Sequence, residues 1–136
     1  MIKAKKSLGQ NFLVDKKVLE KIINAVIIEN KTILEIGPGT GNLTSYILKK
    51  NPKKLFVIEK DDDLAVMLKN KFREQLIMIN DDVLKIDETK ISSDKIIVFG
   101  NLPYNISTEI LSKWITNLKN HFWFDSLILM FQKEVA

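Results

Sequence analysis

The amino-acid sequence predicts an α/β fold, a parallel sheet with helices on both faces. Short apolar runs alternate with stretches of helical spacing along the chain. A glycine-rich loop joins the first apolar run to the helix that follows it. Acidic or amide residues stand at the ends of the later runs, the edge where open α/β sheets bind ligands.

The elements follow in order. Asp15 is placed to cap a helix whose apolar face is Val18, Leu19, Ile22, Ile23, Val26 and Ile27. "KTILEIG" (31–37) is an apolar run ending in glycine, read as a buried strand. "NLTSYILKK" (42–50) reads as a helix that Pro52 ends. "KLFVIE" (54–59) is a second strand, and "DDDLAVMLKNKF" (61–72) a helix with acids at its positive end. "QLIMIN" (75–80) and "KIIVFG" (95–100) are strands three and four. Between them "DDVLKIDETKISSD" (81–94) is polar and reads as a loop with a short helical turn. "STEILSKWITNL" (107–118) is a helix, with Ser107 as its cap and Glu109 in its first turn. "SLILMF" (126–131) is a fifth strand, and "QKEVA" (132–136) begins another helix. An open sheet of this type normally adds a closing pair of strands, so the chain reads as truncated within one domain, 1–136.

A chain of 136 residues is long enough to bury a core, and 46% hydrophobic with 28% charged residues is a globular balance. With 21 basic and 17 acidic residues the net charge is +4, mildly suggestive of a polyanionic partner. Arg73 is the only arginine, so phosphate contacts fall to lysine point charges. Zero cysteines exclude disulfides and thiolate metal sites, and one histidine (His121) makes neither a triad nor a zinc site, so no metal is expected. The start "MIKAKKSLGQ" lacks the apolar core of a signal peptide, and "LILMF" is too short to span a bilayer. A cytoplasmic monomer is the expectation. Trp114 and Trp123 are read as core.

Gly37, Gly39 and Gly41 in "EIGPGTGNLT" (35–44) allow a sharp turn and let a ligand lie on main-chain N–H groups. The spacing is neither that of dinucleotide binders nor that of a P-loop, and a tight strand-to-helix turn uses glycines for structure alone equally often. Glu59 ends the second strand about 20 residues on, where an acid accepts from both ribose hydroxyls. Asp82 follows the third strand and is placed to accept from an adenine amine. Taken singly, each acid is better read as a solvated charge. Three successive strand ends, each carrying a group that adenosine needs, favour a nucleoside site. Asp61, Asp62, Asp63 and Asp81 are read as caps or surface residues. Acids around the loop repel a pyrophosphate and welcome a cation, which suits S-adenosylmethionine, with Glu35 near its amino end.

"NLPY" (101–104) follows the fourth strand on the same edge. An adenine amine is a poor nucleophile because its lone pair is delocalised into the ring. Two carbonyl oxygens accepting its two N–H bonds draw the nitrogen toward tetrahedral geometry. The side chain of Asn101 supplies one, the backbone of Leu102 another, and Pro103 stiffens the turn. Tyr104 offers a ring for base stacking, worth ~1–3 kcal/mol per base. An Asn-capped helix entry is the bland alternative for such a turn; the glycine loop and the two acids weigh against it.

In these segments the chain resembles the ribosomal RNA adenine dimethyltransferases of the small subunit, the dimethyladenosine transferases. "SLGQNFL" (7–13), "EIGPGTGNLT" (35–44), "VIEKD" (57–61), "NLPYNIST" (101–108) and "FQKEVA" (131–136) carry the resemblance over essentially the whole chain. It implies a Rossmann-like S-adenosylmethionine-dependent methyltransferase sheet with flanking helices, its C-terminal part missing. It also implies cofactor binding by Asn11, Leu13, Gly37, Glu59, Asp82 and Asn101, with "GQNFL" folded over the methionine end. The catalytic group is then Asn101, Leu102, Pro103 and Tyr104. The implied activity is transfer of two methyls to each of two adjacent adenines near the 3′ end of 16S rRNA in the small ribosomal subunit. The target bases are splayed from their stack into the pocket, and Lys3, Lys5 and Lys6 are candidates for phosphate contacts.

Two alternatives stand beside this reading. A large-subunit resistance-type adenine methyltransferase typically carries isoleucine at the position of Leu102, and a non-catalytic RNA-binding assembly factor has no need of intact "EIGPGTG" and "NLPY". The family's small helical C-terminal domain, which helps grip RNA, is absent from the 136 residues. They are therefore expected to hold the methyltransferase half-fold without methylating. Robust turnover by this 136-residue chain alone would refute that expectation.

Overall fold

The computed structural model describes residues 16–117 and 123–132. Five strands, β1 (Thr32–Ile36), β2 (Lys54–Ile58), β3 (Ile77–Ile79), β4 (Ile96–Pro103) and β5 (Phe124–Gln132), form one parallel sheet in the order β3-β2-β1-β4-β5. Four helices, α1 (Lys16–Asn24), α2 (Asn42–Lys49), α3 (Asp62–Phe72) and α4 (Tyr104–Asn117), cover it. All of β1 is buried, because a central parallel strand is covered on both faces. Ile33 packs into one layer with Leu19 and Ile23 of α1, Ile47 of α2 and Leu68 of α3. Leu34 and Ile36 point the other way, into a layer with Ile110 and Trp114 of α4 and with Trp123. The two-residue period of the strand thus sorts the core into two sheets of side chains.

Several elements differ from their sequence reading. α1 stops at Asn24, so Val26 and Ile27 lie beyond it, and Val18 and Ile27 are 44% and 76% exposed. The chain must turn there to enter β1, and Ile28 takes the buried place that periodicity gave to Ile27. β3, at one edge of the sheet beside β2, is three residues long, so "QLIMIN" is strand only over Ile77–Ile79. β4 runs on through Asn101, Leu102 and Pro103, which pair with Met130, Phe131 and Gln132 of an equally long β5. "NLP" is therefore the extended end of a strand and not a turn.

α4 begins at Tyr104, immediately after Pro103, so Ser107 is not its cap and its first turn contains no acid. Ser107 instead lies inside the helix and donates its hydroxyl to the Leu102 carbonyl at 3.5 Å. Gln132 belongs to β5, which displaces the start of the helix expected at 132–136; the rest of that segment lies outside the described residues. The 81–94 segment holds two 3-10 turns, Val83–Lys85 and Glu88–Lys90, capped by the side chains of Asp82 and Asp87. Asp61 caps α3, accepting from Asp63 N and Leu64 N at 2.9 and 3.1 Å, and Asp62, Asp63 and Asp81 are exposed. Trp114 and Trp123 are core residues with rings edge to face at 5.1 Å. Among the described residues no helix is long and apolar enough to cross a membrane.

The glycine loop is fastened from below at Gly41. Its φ is +93°, and an added Cβ would stand 2.7 Å from Phe72 Cε2 and 3.0 Å from Leu68 Cδ2, both from α3. Gly41→Ala therefore combines backbone strain with overpacking, and a loss of about 1–3 kcal/mol is expected in urea unfolding. A loss within about 0.5 kcal/mol, the range of surface substitutions, would contradict this packing.

Candidate functional site

The strand order reverses between β1 and β4, and the carboxyl ends of the strands open there into one crevice. Main-chain bonds set the ends of three strands at a common level. Gly37 N–H donates to Ile58 O at 3.2 Å, and Glu59 N–H to Ile79 O at 3.0 Å. Gly37 has φ +67°, and a Cβ on it would stand 2.5 Å from Leu102 Cδ2. Glycine is what lets the loop after β1 lie against the end of β4. The result is a cavity of about 190 Å³ whose lining includes Glu35, Gly37, Gly39, Glu59, Asp82 and Asn101. Leu102, Pro103, Val83, Leu84 and Ile106 add an apolar side.

Of the four carboxylates lining this cavity, Asp81 is exposed and the other three have distinct environments. Glu59 is 4% exposed; its Oε2 accepts from Asp61 N–H at 2.8 Å, and its buried Oε1 has no hydrogen-bond partner among the described residues. Burial raises its pKa above the ordinary value, and the bond from Asp61 opposes the rise. An acceptor buried without a donor is costly, and a ligand hydroxyl entering the cavity would satisfy it. Glu35 lies under the glycine loop, 1% exposed, and accepts from the Thr44 hydroxyl of α2. Burial pushes its carboxyl up to about 7, Thr44 pulls it down, and nearby Glu59 pushes it up again. Asp82 is half-buried, accepts from Leu84 N at 3.0 Å and stands 3.5 Å from Lys60 Nζ.

The structure thus brings Gly37, Glu59, Asp82, Asn101, Leu102 and Pro103 around one cavity, with Glu35 beneath. Asn11 and Leu13 lie outside the described residues, as do Lys3, Lys5, Lys6, Asp15 and His121; Tyr104 is described only by its backbone, as the first residue of α4. Sequence reasoning missed Thr44, whose bond to Glu35 depends on α2 lying over β1. It also missed Leu84 and Ile106, which look like ordinary apolar residues until the fold lines the cavity with them. Among the described residues no group of three or more His, Cys, Asp or Glu is placed to hold a metal. The lining fits a cationic nucleoside: a buried carboxylate oxygen with no partner among the described residues, acids on neighbouring strand ends, and a glycine cradle that a Cβ would fill.

A family model described as ribosomal RNA adenine dimethylase matches residues 1–136. The chain belongs to the ribosomal RNA adenine dimethylase family. It is 70% identical over 135 residues to "Ribosomal RNA small subunit methyltransferase A" of Pelagibacter ubique (strain HTCC1062), covering 99% of this chain and 52% of that protein. The protein of the same description from Wolbachia sp. subsp. Drosophila simulans (strain wRi) is 44% identical over 140 residues, covering 100% of this chain and 50% of the relative. The chain thus spans about half the length of the curated relatives it matches. A crystal structure of a dimethyladenosine transferase from Plasmodium falciparum superposes with TM-score 0.73 at 31% identity, over 90% of this chain and 44% of that one. The 23S rRNA methyltransferase ErmE gives TM-score 0.74 at 24% identity, over 90% of this chain and 48% of that one, a likeness of fold alone. The architecture is the Rossmann-like α/β sheet of these methyltransferases.

Glu35 gives the fold a pH dependence of definite sign. Its folded pKa, about 7, is above the ordinary 4.5, so the native state holds a proton that the unfolded chain releases between those values. Stability is full below about pH 4.5 and falls as pH rises toward 7, by up to about 3 kcal/mol for this group. Glu59 contributes with the same sign. Urea unfolding at pH 5 and pH 8 should show a clear loss in the wild type and a smaller one in Glu35→Gln. Equal losses in the two proteins would contradict the burial argument.

Proposed function

We propose that the protein transfers methyl groups from S-adenosylmethionine to the exocyclic amines of two adjacent adenines near the 3′ end of 16S rRNA in the small ribosomal subunit. One observation carries this reading: the unpartnered buried Oε1 of Glu59 and the Asn101–Pro103 strand end open onto the same cavity. Family membership and the names of the relatives supply the class of substrate.

When bound, S-adenosylmethionine supplies an electrophilic methyl carried on a sulfonium. The protein's part is binding and alignment. Glu59 accepts from the ribose hydroxyls, which gives its orphaned oxygen a donor. Asp82 accepts from the adenine amine, and its turn-capping bond to Leu84 N holds the carboxylate in place. Gly37 keeps the loop low enough for a ligand to approach the backbone. A ligand ammonium near Glu35 would favour its charged form. Asn11 and Leu13 close over the methionine end, as the family resemblance implies.

On the substrate side, the Asn101 side-chain carbonyl and the Leu102 main-chain carbonyl each accept one N–H of the target amine. Both lie at the end of β4, where pairing to β5 fixes the backbone. Little is left to order at the moment of reaction. The two acceptors stabilise positive charge as it develops on the nitrogen, and no strong base is needed until the methyl has moved. Tyr104 stacks on the splayed base.

The deciding experiment is primer extension across the two adenines, after unmethylated small subunits are treated with the full-length protein and cofactor. Asn101→Ala is expected to lower methyl transfer by at least about a hundredfold while leaving RNA binding intact. RNA-dependent function that survives this substitution undiminished would favour the non-catalytic assembly-factor reading. Unmodified adenines with the wild type would remove the proposal.

A further inference from the structure

Behind the cavity wall lies a buried polar cluster. Lys113, in the third turn of α4, donates through Nζ to Val83 O at 2.8 Å, to Ile86 O, and to both carboxylate oxygens of Glu88 at 3.0 Å. The next residue, Trp114, donates its Nε1–H to Glu88 Oε2 at 2.7 Å. Glu88 is 4% exposed and Trp114 2%. An ammonium has three protons, and two carbonyls and one carboxylate use all of them.

The segment so held is otherwise fixed by apolar packing, with Val83 in the core and Leu84, Ile86 and Ile91 against it, which is non-directional. Residues 81–91 make two short 3-10 turns and no ladder with the sheet. Yet Asp82, Val83 and Leu84, at its start, line the cavity. α4, at the other end of the clasp, starts directly after Asn101–Pro103, which line the same cavity. The cluster therefore ties two segments that line one cavity to each other, the turn at Asp82–Leu84 and the helix that follows Asn101–Pro103. Stability alone is a weak reason for it, because a buried ion pair is commonly no better than apolar residues of the same shape. Geometry is the better reason. Lys113 grips the carbonyl next to Asp82, so any shift of that turn carries the Asp82 carboxylate with it.

We propose that Glu88, Lys113 and Trp114 are positioning residues that hold the Asp82–Leu84 wall against Asn101–Pro103 and so set the seat of the cofactor's adenine end. This rests on the reading of the cavity as an S-adenosylmethionine site. None of the three lines the cavity, so each acts through the turn it holds.

The test uses full-length protein and compares Glu88→Gln and Trp114→Phe with the wild type. The first keeps the shape and removes the charge; the second keeps the ring in the core and removes one N–H. The KM for S-adenosylmethionine is expected to rise about tenfold in Glu88→Gln and about threefold in Trp114→Phe, matching the loss of a charged and of a single hydrogen bond. The kcat should stay within about threefold and the KM for RNA should not move. A purely structural cluster would lower Tm and the active fraction while leaving the cofactor KM unchanged, and that result overturns the proposal.

A second readout comes from the indole. In a background where every other tryptophan of the full-length protein, Trp123 included, is replaced by phenylalanine, saturation with S-adenosylhomocysteine should shift Trp114 emission, and Glu88→Gln should abolish the shift. If calorimetry shows binding without any shift, the proposal also falls. Should Glu88→Gln not fold, Trp114→Phe and the emission shift decide the matter. Failure of the wild type to bind S-adenosylmethionine would instead sink the functional reading, and is seen before any variant is made.

Discussion

β1 and β4 lie side by side and parallel, yet the helix that follows β1 covers one face of the sheet and the helix that follows β4 covers the other. Right-handed crossovers require this once the chain moves outward from β1 in one direction and from β4 in the opposite one. The two connections diverge above the sheet, and a crevice opens between them at the carboxyl ends. All the chemistry described above depends on that divergence. The glycine loop, Glu59, Asp82 and Asn101 are far apart along the chain, and each reaches the crevice only because its strand ends there.

The crevice gathers groups that an isolated fold would rather not bury. Two carboxyls, Glu35 and Glu59, are held above their ordinary pKa by burial, and one oxygen of Glu59 has no donor among the described residues. That arrangement costs the empty protein stability, and a ligand carrying hydroxyls and positive charge relieves it. Binding energy is thus stored in the site before the ligand arrives. Thr44 limits the cost by donating to Glu35.

Rigidity in the site has two sources. At the Asn101–Pro103 strand end it is covalent and ladder-like: Pro103 ends a strand that β5 supports along its full length. The Asp82–Glu88 segment has no ladder among the described residues, and side chains hold it instead, Lys113 and Trp114 gripping Glu88 and Lys113 the carbonyls of the turn. The two devices meet in α4, which follows Pro103 and carries Lys113.

Local pattern was enough for much of this. The strand runs, the glycines, the caps of α3 and the strand-end acids were legible because each depends on neighbours close in sequence, and the alternation of strand and helix implied a parallel sheet. Element ends were less legible. The extension of β4 through "NLP" needs β5 beside it, and the early start of α4 follows from Pro103 closing that strand, so Ser107 is not the cap and Glu109 is not in the first turn as their spacing suggested. Glu88 is the clearest case of a residue the sequence could not place. It stands in a polar stretch that reads as surface loop, and its burial is decided by Lys113 and Trp114, about 25 residues away, which reach it only when α4 packs across the sheet. Sequence alone determined which acidic, amide and glycine residues stand at the strand ends. Tertiary structure decided which of them share a cavity, because only the reversal of strand order brings those strand ends together.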